Sequence, residues 1–101
     1  MKAKIEVSPT GCKYIAVSET VDWQSSTVLI HKIMIQIGAA DIFPIANDEA
    51  VSVDTKWWEF TYKFGKFRIV YEDWPQGLSI EPRNRVSNAL LQEIILLIKN
   101  I

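Results

Sequence analysis

Residues 56–82 read KWWEFTYKFGKFRIVYEDWPQGLSIEP, and aromatic or aliphatic residues alternate with polar ones on both sides of Gly65. A period of two belongs to strands with one buried face, so the stretch predicts a β-hairpin. With the turn at Phe64-Gly65, Lys63 faces Lys66, and Tyr62, Phe60 and Trp58 pair with Phe67, Ile69 and Tyr71 on one face. The opposite face then carries Trp57, Glu59, Thr61 and Lys63 against Lys66, Arg68, Val70 and Glu72. A slip of one residue would mix the two sets, so the alternation constrains the faces and the register together. Trp74-Pro75-Gln76-Gly77 supplies the next turn, and Leu78-Ser79-Ile80 a third strand of a meander.

Upstream, Lys4-Ile5-Glu6-Val7 alternates, Ser8-Pro9-Thr10-Gly11 is a turn, and Lys13-Tyr14-Ile15-Ala16-Val17 resumes a strand, which predicts a first hairpin over residues 3–17. Asp22 suits an N-cap and Gly38 a C′ position, bracketing a segment whose Trp23, Ile30, Ile33, Met34 and Ile37 share a helical face. The β-branched Val28, Ile30, Ile33, Ile35 and Ile37 pull the other way, and residues 33–37 also fit a strand. Asp41-Ile42-Phe43-Pro44-Ile45 forms a short strand that Pro44 assigns to an edge or a loop, and Asn47-Asp48-Glu49 turns. Pro82 suits the first turn of a last helix, in which Val86, Leu90, Ile94, Leu97 and Ile101 make an apolar face widened by Leu91 and Ile98. The expected fold is α+β, an antiparallel sheet of five or six strands with two amphipathic helices packed on one face, in the order ββ-α-β-βββ-α.

At 101 residues, 49% hydrophobic and 23% charged, the chain suits one globular domain over residues 1–101. A net charge of -1 gives no general attraction to nucleic acid or anionic membrane. Cys12 is the single cysteine, which fits a reducing compartment. The start MKAKIEVSPTG lacks the apolar run of a signal peptide, and the apolar runs broken by His31-Lys32 and Gln92-Glu93 fall short of a membrane span. A cytoplasmic location is the expectation.

His31 is the single histidine, so no multi-histidine metal site exists within one chain, and a Cys-His nucleophile pair could be Cys12 with His31 alone. A solvated His31 and a Cys12 that merely begins a strand account for both residues more simply. Glu72 and Asp73 end one central strand while Asp54 and Glu59 sit on or before its partner, so an enzymatic or ligand-binding reading would place a pocket near Asp54, Glu72 and Asp73. The register sets Trp57 opposite Glu72 and Glu59 diagonal to Arg68, which favours a surface charge pair over an acid-base dyad. With four glycines and none of the phosphate-loop or nucleophile-elbow patterns, no cofactor and no metal are expected.

Two binding readings remain. Trp57 with Lys63, Lys66 and Arg68, near Lys56, Arg83 and Arg85, resembles a base-stacking platform with phosphate contacts for single-stranded nucleic acid. Glu59 and Glu72 on the same face oppose it. The favoured reading is a non-enzymatic protein acting through protein-protein contact, an adaptor or inhibitor with a partner or a homodimer as its assembly. Val28 and Ile35, one heptad apart and off the core stripe, Leu96 on a polar flank, and Trp57 on the outer face are its contact candidates. The alternative for Val28 and Ile35 is packing beneath the first hairpin or the Asp41–Ala50 loop.

Overall fold

In the computed structural model, which describes residues 1–44, 55–73 and 76–101, the strands are β1 (Ala3–Val7), β2 (Lys13–Val17), β3 (Ala40–Pro44), β4 (Thr55–Tyr62), β5 (Gly65–Asp73) and β6 (Gln76–Pro82). Helix α1 (Trp23–Ile37) links β2 to β3, and a 3-10 turn (Arg85–Leu90) runs into α2 (Leu91–Ile98) after β6. All six strands join one antiparallel sheet in the order β1-β2-β6-β5-β4-β3. Both helices cover the same face. Ile15 and Val17, Phe60 and Tyr62, Phe67, Ile69 and Tyr71, and Leu78 and Ile80 bury themselves there against Ile30, Ile33, Met34 and Ile37 of α1 and Leu91, Ile94 and Ile98 of α2. The expected α+β class and element order are those observed.

Residues 33–37 are helical because both ends of α1 are satisfied locally. The Asp22 carboxylate accepts the Ser25 backbone N–H at 2.7 Å, and Ser25 Oγ accepts the Asp22 N–H at 2.9 Å, closing a reciprocal cap. Gly38 takes the left-handed conformation (φ 71°) that lets its own N–H reach Ile35 O and the Ala39 N–H reach Met34 O. With these caps the buried stripe Ile30, Ile33, Met34 and Ile37 outweighs the β-branched residues' preference for strand.

The β4–β5 hairpin keeps the expected faces, Lys63 in the turn excepted, but not the expected register. Tyr62 pairs with Gly65, Phe60 with Phe67, Trp58 with Ile69 and Lys56 with Tyr71, a shift of two residues from the pairing predicted by a Phe64-Gly65 turn. The turn is Lys63-Phe64, with Lys63 at φ 52°. Gly65 is the first residue of β5 for a steric reason: a Cβ there would lie 2.8 Å from Leu90 Cδ1 and from Ser87 Oγ. The hairpin end docks on the 3-10 turn at that point. Ser87 Oγ accepts the Lys66 N–H at 2.8 Å and donates to Lys66 O at 2.9 Å. Phe60 and Phe67 stack with ring centroids 5.5 Å apart.

The last helix also differs from expectation. Pro82 ends β6, Asn84 caps the 3-10 turn, and the α-helix begins at Leu91. Three residues per turn in the first segment set Ser87 and Leu90 on one line, after which Leu91, Ile94 and Ile98 continue it at helical spacing. Val86 is thereby exposed, and Leu97 and Ile101 are half-buried at the margin of the core. No helix among the described residues is long and apolar enough to cross a membrane.

Candidate functional site: the open face of the sheet

Because both helices occupy one face, the other face of the sheet, called the open face below, carries no helix among the described residues, and its register sets side chains in rows across the strands. Arg83 and Lys66 stand beside Thr61; Glu81, Arg68 and Glu59 follow; then Ser79, Val70 and Trp57; then Gly77, Glu72 and Thr55. β3 extends the second row. An irregularity between Ala40 and Phe43, with Asp41 at φ 50°, adds one residue to the strand and brings Phe43 opposite Glu59 on this face. At the far side, Tyr14 and Ala16 of β2 continue the surface.

Four of the charges of this face, Arg68, Glu81, Arg83 and Glu59, pair with one another. Arg68 Nη2 donates to Glu81 Oε1 at 2.7 Å, and its guanidinium carbon lies 5.7 Å from the centre of the Trp57 ring. Arg68 Nε is buried without an acceptor among the described residues. Arg83 Nη2 reaches Glu59 Oε1 at 3.9 Å. Val70, central in the third row between Trp57 and Ser79, is only 5% exposed although neither α1 nor α2 lies on this side. Two concavities open on either side of Arg83. One of about 310 Å³ is bounded by Phe43, Glu59, Thr61, Lys66 and Arg83. The other, of about 950 Å³, lies over the outer parts of β2 and β6, bounded by Cys12, Lys13, Tyr14, Glu81, Arg83 and Arg85 among others.

The fold separates the residues expected to form a contact surface. Trp57 stands on the open face, while Val28, Ile35 and Leu96 belong to the helices on the other side, so one flat partner surface cannot include all four. Val28, Ile35 and Leu96 are exposed at 58%, 80% and 59%. On the same flank of α1, His31 packs edge-on to Trp58 with centroids 5.6 Å apart, and its Nδ1 donates to Thr27 O at 2.8 Å. Cys12 sits in the β1–β2 turn, where its hydrogen-bond partners are Ser8 and Thr10, and among the described residues it shares none with His31.

Of the expected nucleic-acid contacts, Trp57, Lys66 and Arg68 share the open face. Lys63 does not. From its position in the turn it pairs with Glu93 of α2 on the helix side. Arg68 pairs with Glu81 and not with Glu59, although the true register sets Glu59 directly opposite it. Of the carboxylates placed together from the sequence, Asp54 lies outside the described residues, Glu72 borders the larger concavity, and Asp73 accepts the Tyr71 hydroxyl at 3.0 Å. Among the described residues no three His, Cys, Asp or Glu side chains gather to hold a metal ion. Tyr14 was recoverable from the alternation of residues 13–17, whereas Phe43 reaches this face only through the β3 irregularity, for which the sequence offers no signal.

Set against known protein families, curated proteins and solved structures, the chain matches none.

Proposed function

We propose that this is a non-catalytic binding protein of adaptor or inhibitor type, working in the cytoplasm, whose open sheet face docks on a partner protein. One observation carries the reading: the sheet face opposite the helices presents Trp57, Phe43 and Tyr14 beside the Arg68–Glu81 and Arg83–Glu59 pairs. Aromatic residues and arginine are the types that dominate protein contact energies, and a polar surround with fixed geometry supplies specificity. The mutual pairing of Arg68 with Glu81 and of Arg83 with Glu59 supports a docking role over a chemical one, since these groups hold one another in place. Cytoplasmic location is supported by the unpaired, exposed Cys12.

The alternative is single-strand nucleic-acid binding on the same face. It is the weaker reading, because Lys63 is drawn to Glu93 and the Arg68 guanidinium is shared between Glu81 and the Trp57 ring, which leaves Lys66 and Arg83 to meet phosphates.

Site-specific photocrosslinking in the native cells tests the proposal. A photoreactive residue at Lys66 or Ser79 should give a discrete protein adduct, and one at Ile35 or Leu96 should not. Adducts confined to the helix positions, or nucleic-acid adducts at Lys66, would overturn it.

A further inference from the structure

The sheet is not zipped along its whole length. β2 and β6 pair over three residues, Ile15 with Ile80, Ala16 with Ser79 and Val17 with Leu78. Yet β2 continues beside β1 as far as Lys13, and β6 continues beside β5 as far as Pro82. Beyond Ile15 and Ile80 the two strands therefore part, and the concavity of about 950 Å³ spans this fork and the adjoining outer faces of β2 and β6. Its volume falls near the upper end of ordinary ligand sites, roughly 300–1,000 Å³. Among the described residues the facing backbone edges of Lys13-Tyr14 and of Glu81 have no ladder partner on this side, the condition under which an extended chain adds to a sheet.

The charge of the concavity is unevenly placed, with cations at the end near the β1–β2 turn and Glu72 at the other end. Lys13, Arg83 and Arg85 ring its mouth. Among the described residues neither Lys13 nor Arg85 has an ion-pair partner, and the Arg83 contact with Glu59 is long at 3.9 Å. Glu81, the carboxylate nearest these cations along β6, is already engaged by Arg68. A chain entering at the turn end would thus meet three cations, with Glu72 at the far end, above walls formed by Tyr14, Ala16 and Ser79.

We infer that the fork receives an extended, acidic segment of the partner protein, whose backbone runs along the free edges of β2 and β6 and whose carboxylates meet Lys13, Arg83 and Arg85. This rests on the open-face reading above, since Tyr14, Ala16, Ser79 and Glu81 belong to both surfaces.

The test uses the full chain and a fluorescein-labelled ten-residue peptide of alternating Glu and Val, with the Gln-Val isostere and an oligothymidylate of equal charge as controls, read by anisotropy. The acidic peptide should bind at low ionic strength, weaken with salt, and bind the R83Q/R85Q variant roughly tenfold less tightly. Both arginines are exposed, so the variant should fold as wild type does. Amide shifts on binding should concentrate at residues 13–17 and 79–88. Equal binding of the Gln-Val peptide, equal or tighter binding of the oligothymidylate, or no loss in R83Q/R85Q would each overturn the inference. The two readings separate through the crosslinked partner: Lys66 and Ser79 adducts that persist undiminished in R83Q/R85Q reject the acidic segment and keep the open face. Adducts found only on the helices reject the open face itself.

Discussion

The ammonium of Lys56 lies 4.4 Å from the centre of the Trp23 ring and donates to the carbonyl oxygen of that same residue, in the first turn of α1. Lys56 projects from β4 to the helix side of the sheet, opposite Tyr71, and is 9% exposed. Its second acceptor is Thr27 Oγ1 at 2.6 Å, and the Tyr71 ring is 5.6 Å away. A cation placed here ties the start of α1 to the sheet through hydrogen bonds and two aromatic faces.

Removing it should therefore loosen α1. Lys56→Ala leaves the Thr27 hydroxyl and an aromatic pocket without a partner, and should destabilise the protein by about 1–3 kcal/mol in urea unfolding. Burial pulls the Lys56 ammonium below its ordinary value of 10.5, against the opposing pull of Asp22 and Asp73. The unfolded chain therefore binds more protons between the depressed folded value and 10.5, so the contribution of Lys56 to stability rises with pH across that window. Burial of Tyr71 raises its hydroxyl and works in the opposite direction above 10.0. Subtracting the Lys56→Met pH profile from the wild-type profile isolates the lysine, and a difference that falls with pH below 10.0 would contradict the assignment.

Gly65→Ala should cost on the order of 1–3 kcal/mol, because its Cβ would meet Leu90, Ser87 and Phe67 within 2.9 Å. The cause is crowding and not backbone strain, so shortening Leu90 should relieve part of it. In a double-mutant cycle with Leu90→Ala, the two losses should sum to more than the loss in the double variant. Strict additivity would place the glycine's role elsewhere.

Ile35→Lys should leave the melting temperature within the range of ordinary surface substitutions, about ±0.5 kcal/mol in stability, since Ile35 is 80% exposed. It should also leave adduct formation at Lys66 and Ser79 intact. A variant that fails to fold would show that Ile35 is covered in the native protein.

Glu93 accepts the Tyr62 hydroxyl at 2.6 Å and an ion pair from Lys63, and donation from Lys63 and then from Tyr62 holds its carboxyl below the ordinary 4.5. The stability this contributes is present above 4.5 and lost as pH falls through the lower folded value. Glu93→Gln should flatten the acid side of the pH-stability curve. Tyr62→Phe should move the Glu93 titration, followed by carboxyl-carbon NMR, back up toward 4.5; an unchanged midpoint would deny the hydroxyl any share.

The residues themselves determined which faces of the central hairpin's strands turn inward and where α1 begins and ends. Alternation from Lys56 to Glu72 assigns Phe60, Ile69 and Tyr71 inward whichever even register the hairpin takes, because a shift of two residues preserves the faces. Asp22, Ser25 and Gly38 specify α1 through groups within a few residues of each other, and Pro44 restricts its strand to an edge. Contacts between distant segments decided the rest. The hairpin register depends on Leu90 and Ser87 pressing against Gly65, some twenty residues away in the chain, which moves the turn onto Lys63-Phe64. The 3-10 turn before α2, the bulge that turns Phe43 to the open face and the fork between β2 and β6 likewise arise where non-local strands and helices meet. So does the division of Trp57 from Val28, Ile35 and Leu96: hydrophobic patterning marks a residue as lying off the core stripe, but only the packing of both helices on one side of the sheet settles which outer surface it joins.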